Sequence, residues 1–456
     1  MRNILIIGAG RSATSLIRYL LDKSESEDLF ITIGDLSIQN ARKFTQGHPN
    51  ARAILLDVFN ENQRKEAVQQ SDLVISMLPA RFHIEVARDC IQFKRHLVTA
   101  SYVSDEMQSL DASAKAKGLV FMNEIGVDPG IDHMSAMQVI DRIREGGGKM
   151  LLFESFTGGL IAPESDDNLW HYKFTWNPRN VVVAGQGGAA EFIQEGTYKY
   201  IPYHRLFRRT EFLDVEGYGR FEAYANRNSL KYRSIYGLED ILTLYRGTMR
   251  RVGYSKAWNV FVQLGMTDDS YTIPDSQNLS YRDFVNLFLP YSPTDSVELK
   301  LRHNLKLDQD DLLWDKLMEL DLFNAEKKLG IENATPAQAL QKILMDQWTL
   351  KENDKDMIVM YHKFGYELDG VKKQIDSNMV LIGEDQTHTA MAKTVGLPVA
   401  MAALRILNKE ITTPGVQIPI TKEVYEPILK ELEDYGITFK ESFADYLGYN
   451  PDGVGV

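Results

Sequence analysis

The sequence is poor in cysteine: Cys90 is the one thiol among 456 residues. That excludes an intrachain disulfide and a cysteine-rich metal site, and no metal is expected. Positive charge is also short, with 51 Lys plus Arg against 63 Asp plus Glu and a formal net charge of -12. A general nucleic-acid binder needs a basic face to meet phosphates, so nucleic acid is not an expected partner. Long apolar runs are missing too. Met1-Arg2-Asn3 leads straight into Ile4–Ile7 and Gly8, too short a run for a signal-peptide core. The longest comparable stretch, Val395 to Leu404, contains Pro398 and stops at Arg405. A spanning helix needs about 20 residues, so no membrane is expected and the reading is a cytoplasmic protein. No long-period repeat is present.

What remains is the composition of a folded chain, 44% hydrophobic and 25% charged. Its length exceeds one ordinary core and predicts two or three domains.

In the first 126 residues, short apolar runs alternate with helix-compatible stretches. The runs are Ile4–Ile7, Phe30–Ile33, Ala53–Leu56, Leu73–Leu78, Leu97–Thr99 and Leu119–Met122. They read as strands of a parallel sheet buried on both faces, and six of them make a doubly wound dinucleotide fold. The first strand runs into Gly8-Ala9-Gly10-Arg11-Ser12-Ala13, a G-x-G-x-x-A turn that opens an apolar-periodic helix. Gly8 permits the turn, Gly10 lets a pyrophosphate approach, and Ala13 allows close packing of helix on sheet. The second strand ends at Asp35, followed by Leu36 rather than a cation. A carboxylate there accepts ribose hydroxyls and repels a 2′-phosphate, so the expected cofactor is NAD, with NADP disfavoured.

Polar residues at the carboxyl ends of the strands are site candidates in this fold. Ser101 and Tyr102 follow the fifth strand. Asn123 to His133, containing Asp128-Pro129-Gly130, follow the sixth. On residue type alone, His133 reads as a helix-start residue and Asp128-Pro129-Gly130 as a hinge as readily as a site. From Met150 the pattern changes to longer alternating strands. A charged, Leu-rich stretch around 284–350 reads as helical, with Leu312, Leu313, Leu317 and Leu320 on one face and Asp311, Asp315, Lys316 and Glu319 on a solvated one. Between Lys199 and Lys256 stand twelve Lys plus Arg against six Asp plus Glu. That local surplus suits a salt-bridged surface, a single-stranded nucleic acid, or a pocket for a polycarboxylate with Arg227, Arg246, Arg250 and Arg251 as clamps.

Several of these segments together resemble the glutamate-forming saccharopine dehydrogenases, also called saccharopine reductases. Met122-Asn123-Glu124-Ile125-Gly126-Val127-Asp128-Pro129-Gly130-Ile131-Asp132-His133 carries most of the likeness. Gly158 to Asn168, Tyr172 to Trp176, Asn226 to Ser229, Tyr245 to Arg250, His362 to Phe364 and Met391 to Gly396 follow in the family's order. The resemblance implies an enzyme of lysine metabolism that oxidises the CH–NH bond of saccharopine to give glutamate and 2-aminoadipate 6-semialdehyde, or runs in reverse. It also implies a Rossmann-type domain (residues 1–126, rejoined by about 389–456) and a mixed α/β substrate and dimerisation domain (127–283 and 351–388). A helical insertion (284–350) and a homodimer complete the expected organisation.

Carried over by position, the likeness places Ser12 and Ala13 on the pyrophosphate. Asp35 and Ser37 fall on the ribose, Asp57 and Val58 near the adenine, and Met77, Ala100, Val127 and Asn177 elsewhere along the cofactor. Ser101, Tyr102, Asp128, Arg227, Thr248, Met249 and Arg250 fall at the substrate site, where three carboxylates call for fixed cations. Asp128 and Tyr102 are the candidates for proton transfer. Two departures stand out. Asp35-Leu36 replaces the cation of NADP-using members, and Thr157 stands where the family can have a cysteine. Two further readings stay open: a carboxynorspermidine or carboxyspermidine dehydrogenase, and a non-catalytic NAD-binding sensor.

Overall fold

The computed structural model describes residues 1–308, 311–446, 448 and 454–455. The chain is mixed α/β and forms two compact units, residues 1–148 with 379–440 and residues 149–378 with 441–456. The first unit runs past Gly126 to Gly148 because the helix Ile131–Glu145 packs against Lys422–Glu433 of the same unit, where Tyr425 donates to Asp141 at 2.8 Å. The helical stretch 284–350 belongs to the second unit, and so does the chain beyond Lys440.

The first unit holds a seven-stranded sheet whose pairs are all parallel. From one edge the order is Gly415–Gln417, Val120–Met122, His96–Val98, Leu73–Ser76, Arg2–Ile7, Leu29–Asp35 and Ala51–Leu55. Six of these strands are the apolar runs read from the sequence, in the doubly wound order. The seventh has too few residues to leave a periodic signal. Ile4, Leu5, Ile6, Ile31, Ile33, Val74 and Ile75 are at most 1% exposed, as a sheet covered on both faces requires.

The apolar stretch around Pro398 lies in the helix Ala390–Leu407. That helix is 18 residues long and apolar enough to meet the length and composition of a membrane span, yet 78% of it is buried inside the protein. Pro398 lies within it rather than ending it. Gly396 explains the burial: a Cβ there would lie 2.8 Å from the Leu16 amide nitrogen and 3.2 Å from the Ser12 carbonyl oxygen. Only a residue without a side chain lets this helix lie directly on the G-x-G-x-x-A turn.

The second unit is built on a ten-stranded mixed sheet. Its central strand, Lys149–Ile161, pairs antiparallel with Asp356–Leu368 and parallel with Thr243–Arg251. Helices Tyr281–Asn286, Val297–Leu305, Leu312–Glu319 and Pro336–Trp348 fill the expected helical stretch. The face assigned to that stretch needs correction. Leu313, Leu317 and Leu320 are buried, but Leu312 is 60% exposed. Lys316 is buried rather than solvated, with its ammonium over the Trp170 ring and its carbonyl accepting from the Trp170 indole at 2.7 Å. Its four-methylene stem supplies core area that a charge pattern does not reveal. Around it Trp170, Tyr172, Phe174, Tyr254, Trp258, Phe261 and Trp348 form a continuous aromatic cluster.

Candidate functional site

The G-x-G-x-x-A turn has the geometry its glycines predict. Gly8 adopts φ +102°, and a Cβ there would meet the Met77 carbonyl oxygen at 3.0 Å. Gly10 precedes the short turn Arg11–Ala13, which no side chain caps. A Cβ on Gly10 would meet nothing within 4 Å. The glycine therefore keeps an open cradle in front of bare N–H groups, which fits a pyrophosphate. Ala13 lies 1% exposed beneath it, and Ser12 is half-buried.

Asp35 behaves differently from a ribose acceptor held open for a ligand. Its Oδ2 accepts the Ala9 N–H and its Oδ1 accepts the Ser37 N–H, each at 2.8 Å. The carboxylate thus ties the glycine turn to the end of the second strand, while the Ser37 hydroxyl caps the next helix. Asp57 accepts from Phe59 N–H at 2.9 Å, and the Val58 carbonyl accepts from buried Arg64 at 2.6 Å. Met77 donates its N–H to Ile7 at 2.8 Å. Ala100 lies where a Cβ on Gly126 would come within 3.0 Å of it, and Val127 is 8% exposed.

At the carboxyl ends of the fifth and sixth strands, Tyr102 Oη donates to Asp128 Oδ1 at 3.1 Å. Both side chains are half-buried. Asp128 precedes a cis proline, and Gly130 at φ +147° has no room for a Cβ against the Gly126 backbone. Behind this loop His133, fully buried, holds Glu124 Oε2 at 2.9 Å, and Glu124 Oε1 accepts the Val103 N–H at 3.0 Å. His133 is therefore part of the loop's internal bracing as well as a helix-start residue.

One residue of this region was missed in the sequence. His83 opens the helix after the fourth strand and contacts Ser76 Oγ at 2.8 Å, Ser101 Oγ at 2.7 Å and Thr99 Oγ1 at 3.2 Å. Burial lowers its pKa to about 4. A single histidine seven residues after a serine leaves no motif, so only the strand order reveals the link.

In the second unit, Thr248, Met249 and Arg250 lie on the strand Thr243–Arg251, with Thr248 directly across from Thr157. Arg250 is 4% exposed, and its guanidinium sits 5.0 Å from the Tyr172 ring, 5.3 Å from Tyr254 and 5.9 Å from Tyr224. It donates to the Met249 carbonyl at 2.8 Å, while its Nε has no partner. Among the described residues no carboxylate pairs with it. Burial raises the phenol pKa values of Tyr172 and Tyr254, so these two rings stay neutral beside the cation. A buried guanidinium held by ring faces and neutral oxygens, with no carboxylate beside it among the described residues, suits an anion as a further partner.

Arg246 is also buried and lies 4.3 Å from the Tyr232 ring, whereas Arg251 is partly exposed over Phe221. Arg227 is exposed, with φ +46°. Asn177 caps the short helix Pro178–Val182 through the Arg179 N–H. The basic stretch thus separates into buried cations and surface ones, which its composition could not show. Cys90 is buried in the helix His83–Phe93, where burial raises its thiol pKa.

Comparison with known proteins gives a consistent result. Residues 4–122 match the family described as saccharopine dehydrogenase NADP binding domain, and residues 126–437 match the saccharopine dehydrogenase C-terminal domain. A protein of Schizosaccharomyces pombe named saccharopine dehydrogenase [NADP(+), L-glutamate-forming] is 32% identical over 98% of this chain and 100% of its own. The Saccharomyces cerevisiae protein of the same name is 32% identical over 96% of this chain and 99% of its own. The mitochondrial alpha-aminoadipic semialdehyde synthase of Rattus norvegicus is 33% identical over 96% of this chain, which spans 47% of that longer protein. The solved apo structure of saccharopine dehydrogenase (L-Glu forming) from Saccharomyces cerevisiae superposes with TM-score 0.87 at 30% identity, over 97% of this chain and 100% of that one. A homospermidine synthase from Legionella pneumophila shares the fold, with TM-score 0.55 at 9% identity. These names overturn the expected preference for NAD: both fungal saccharopine dehydrogenases are named as NADP(+) enzymes, and the matching first-domain family is described as NADP-binding. The structure supplies a reason the inference from Asp35 fails. Asp35 ties the glycine turn to the end of the second strand through two backbone amides, so a carboxylate there has a structural use that is independent of the cofactor.

Proposed function

As the chain belongs to the saccharopine dehydrogenase family, we propose that it is an oxidoreductase of lysine metabolism acting on the CH–NH bond of saccharopine. In this reading the imine left by the oxidation is hydrolysed by water to L-glutamate and 2-aminoadipate 6-semialdehyde, or the reaction runs in reverse. The observation that carries the reading is Arg250, a buried cation with ring faces around it and no carboxylate partner among the described residues. A carboxylate of the substrate completes it at full charge-assisted strength, since the desolvation of the guanidinium is already met in the folded chain. Arg227, Thr248 and Met249 belong to the same substrate assignment.

The dinucleotide, when bound, supplies the hydride acceptor. We assign it as NADP(+), following the relatives, on the open turn at Gly8, Gly10, Ser12 and Ala13. Arg11, exposed on that turn and without an ion pair among the described residues, is a cation available to a phosphate. The substrate amine must lose a proton before hydride leaves, because an ammonium has no lone pair to push. Asp128 takes that role, with the Tyr102 hydroxyl holding its carboxylate in place at 3.1 Å. Ser101 is assigned to the substrate. A homodimer is part of the proposal, to be checked by light scattering.

The test is direct. Purified protein mixed with saccharopine and NADP(+) should generate NADPH absorbance. Absence of turnover with both NADP(+) and NAD(+) would refute the proposal, and faster turnover of a carboxyspermidine-type substrate would replace saccharopine as the ligand.

A further inference from the structure

Tyr172 is fully buried, and among the described residues its hydroxyl finds no hydrogen-bond acceptor. Its ring lies 5.0 Å from the Arg250 guanidinium, whose Nε is also without a partner. Thr157 Oγ1, on a side chain 8% exposed, is a third such atom. Thr157 stands across from Thr248 on the neighbouring strand, and Arg250 follows two residues after Thr248. Strand alternation therefore puts Thr157, Thr248 and Arg250 on one face of the sheet.

The direction of the Tyr172 hydroxyl follows from its neighbours. Burial raises its pKa, so the phenol keeps its proton at neutral pH. Two groups act against that rise, the Arg250 cation and the Trp176 indole, and each has hydrogens to give and no lone pair to offer. The Tyr172 oxygen thus has donors beside it, and its hydrogen has nothing to meet. The ring's packing does not call for the oxygen either. Tyr172 meets Phe174, Tyr254 and Trp348 through its ring, contacts that a phenylalanine would keep. Phenol and guanidinium ask the same thing of a ligand, an anionic oxygen. A carboxylate has two oxygens, with lone pairs enough for an arginine fork and one hydroxyl besides.

We propose that Tyr172 is a substrate-binding residue whose hydroxyl donates to the same carboxylate that Arg250 receives. The inference rests on the assignment of Arg250 to the substrate and deepens it by naming a second donor for that carboxylate. It also accounts for a hydroxyl that weakens the free protein: a buried hydrogen without an acceptor costs stability until a ligand supplies one.

The first measurement needs no ligand. Tyr172→Phe removes an oxygen that has no acceptor in the free chain, so its Tm should equal or exceed that of the unaltered protein. A clear fall in Tm would show that the hydroxyl is already bonded within the fold, and would overturn the proposal. The second measurement is calorimetric titration with saccharopine and with glutarate, a plain dicarboxylate. Tyr172→Phe should raise the saccharopine Kd about tenfold, the loss of one hydrogen bond to a charged group, and leave the NADPH Kd within twofold. In kcat/KM the same change should cost about tenfold alone and less than twofold beside Arg250→Met, because the carboxylate that the two residues share is then no longer held. An unchanged saccharopine Kd, an equal loss of NADPH affinity, or an undiminished loss beside Arg250→Met would each refute the shared contact. Glutarate keeps the two readings apart. If it binds the unaltered protein and loses affinity in Tyr172→Phe while saccharopine neither binds nor turns over, the proposed function falls and the carboxylate receptor stands. If neither compound binds the unaltered protein, the receptor falls as well.

Discussion

Each unit carries a buried polar site, and the two sites are held by opposite means. In the first, each group already has a hydrogen-bond partner: Asp35 accepts two backbone amides, Glu124 meets His133, and His83 meets Ser76 and Ser101. In the second, Arg250 is surrounded by tyrosine rings and lacks a carboxylate among the described residues. The first arrangement fixes a shape before any ligand arrives. The second stores an unmet charge whose best partner comes from outside the chain.

Substitutions can break this contrast, beginning where the effect is largest. Arg250→Met should lower kcat/KM for saccharopine by roughly a hundredfold or more, the worth of a charge-assisted contact together with its orienting effect, while NADPH affinity stays within twofold. Comparable loss of NADPH affinity would show that Arg250 maintains the fold instead. Gly396→Val should reduce stability by about 1–3 kcal/mol, since a side chain there overpacks the contact with Leu16 and Ser12. Denaturant titration would register it, and an unchanged midpoint would mean that the two helices separate freely. Asp35→Ala should weaken dinucleotide binding about fivefold by freeing the Ala9 and Ser37 amides, on the usual scale for hydrogen bonds to a charged group. Unaltered affinity by fluorescence titration would remove the tie from the account.

The smallest expected effect is in the pH response, and it separates the units by sign. His83 has its pKa lowered to about 4, so between there and its ordinary value near 6.5 the unfolded chain binds more protons. Its contribution to stability is full above about pH 6.5 and is lost as pH falls toward 4. Glu211 in the second unit is raised to about 8, by burial first and then by the Glu154 carboxylate, which Lys363 approaches at 3.2 Å. Here the folded chain binds more protons, so stability falls as pH rises from the ordinary carboxylate range through about 8. His83→Gln should reduce the loss of Tm as pH falls from about 6.5 toward 4, and Glu211→Gln the loss of Tm as pH rises from about 4.5 to 8. Variants that shift both limbs alike would refute the assignment.

Legibility in the sequence follows the same division. The dinucleotide sheet was readable because each strand is a short apolar run and the glycine turn lies within a few consecutive residues. Its seventh strand and the Gly396 contact were not, since both depend on residues near the far end of the chain from the turn. Tyr102 and Asp128 were anticipated as candidates from their place at the carboxyl ends of the fifth and sixth strands, and the resemblance then singled them out. The box around Arg250 draws Tyr172, Tyr224 and Tyr254 from three separate segments, and composition had offered a plain salt-bridged surface as readily as an anion pocket. Lys316 misled for a related reason: a charge pattern reports the head group and says nothing of the stem. The error over NAD has another origin. A motif names the residue at a position but not the hydrogen bonds that already occupy it.

The contact of Gly396 with Leu16 and Ser12 bears on the order in which the molecule can take shape during synthesis. The glycine turn emerges from the ribosome among the first residues, but the helix that seats it is made only after the whole segment 149–378. That middle segment can bury its aromatic cluster while the opening strands still lack their covering helix. Vectorial synthesis therefore lets the aromatic core of the second unit form before the first unit receives its covering helix.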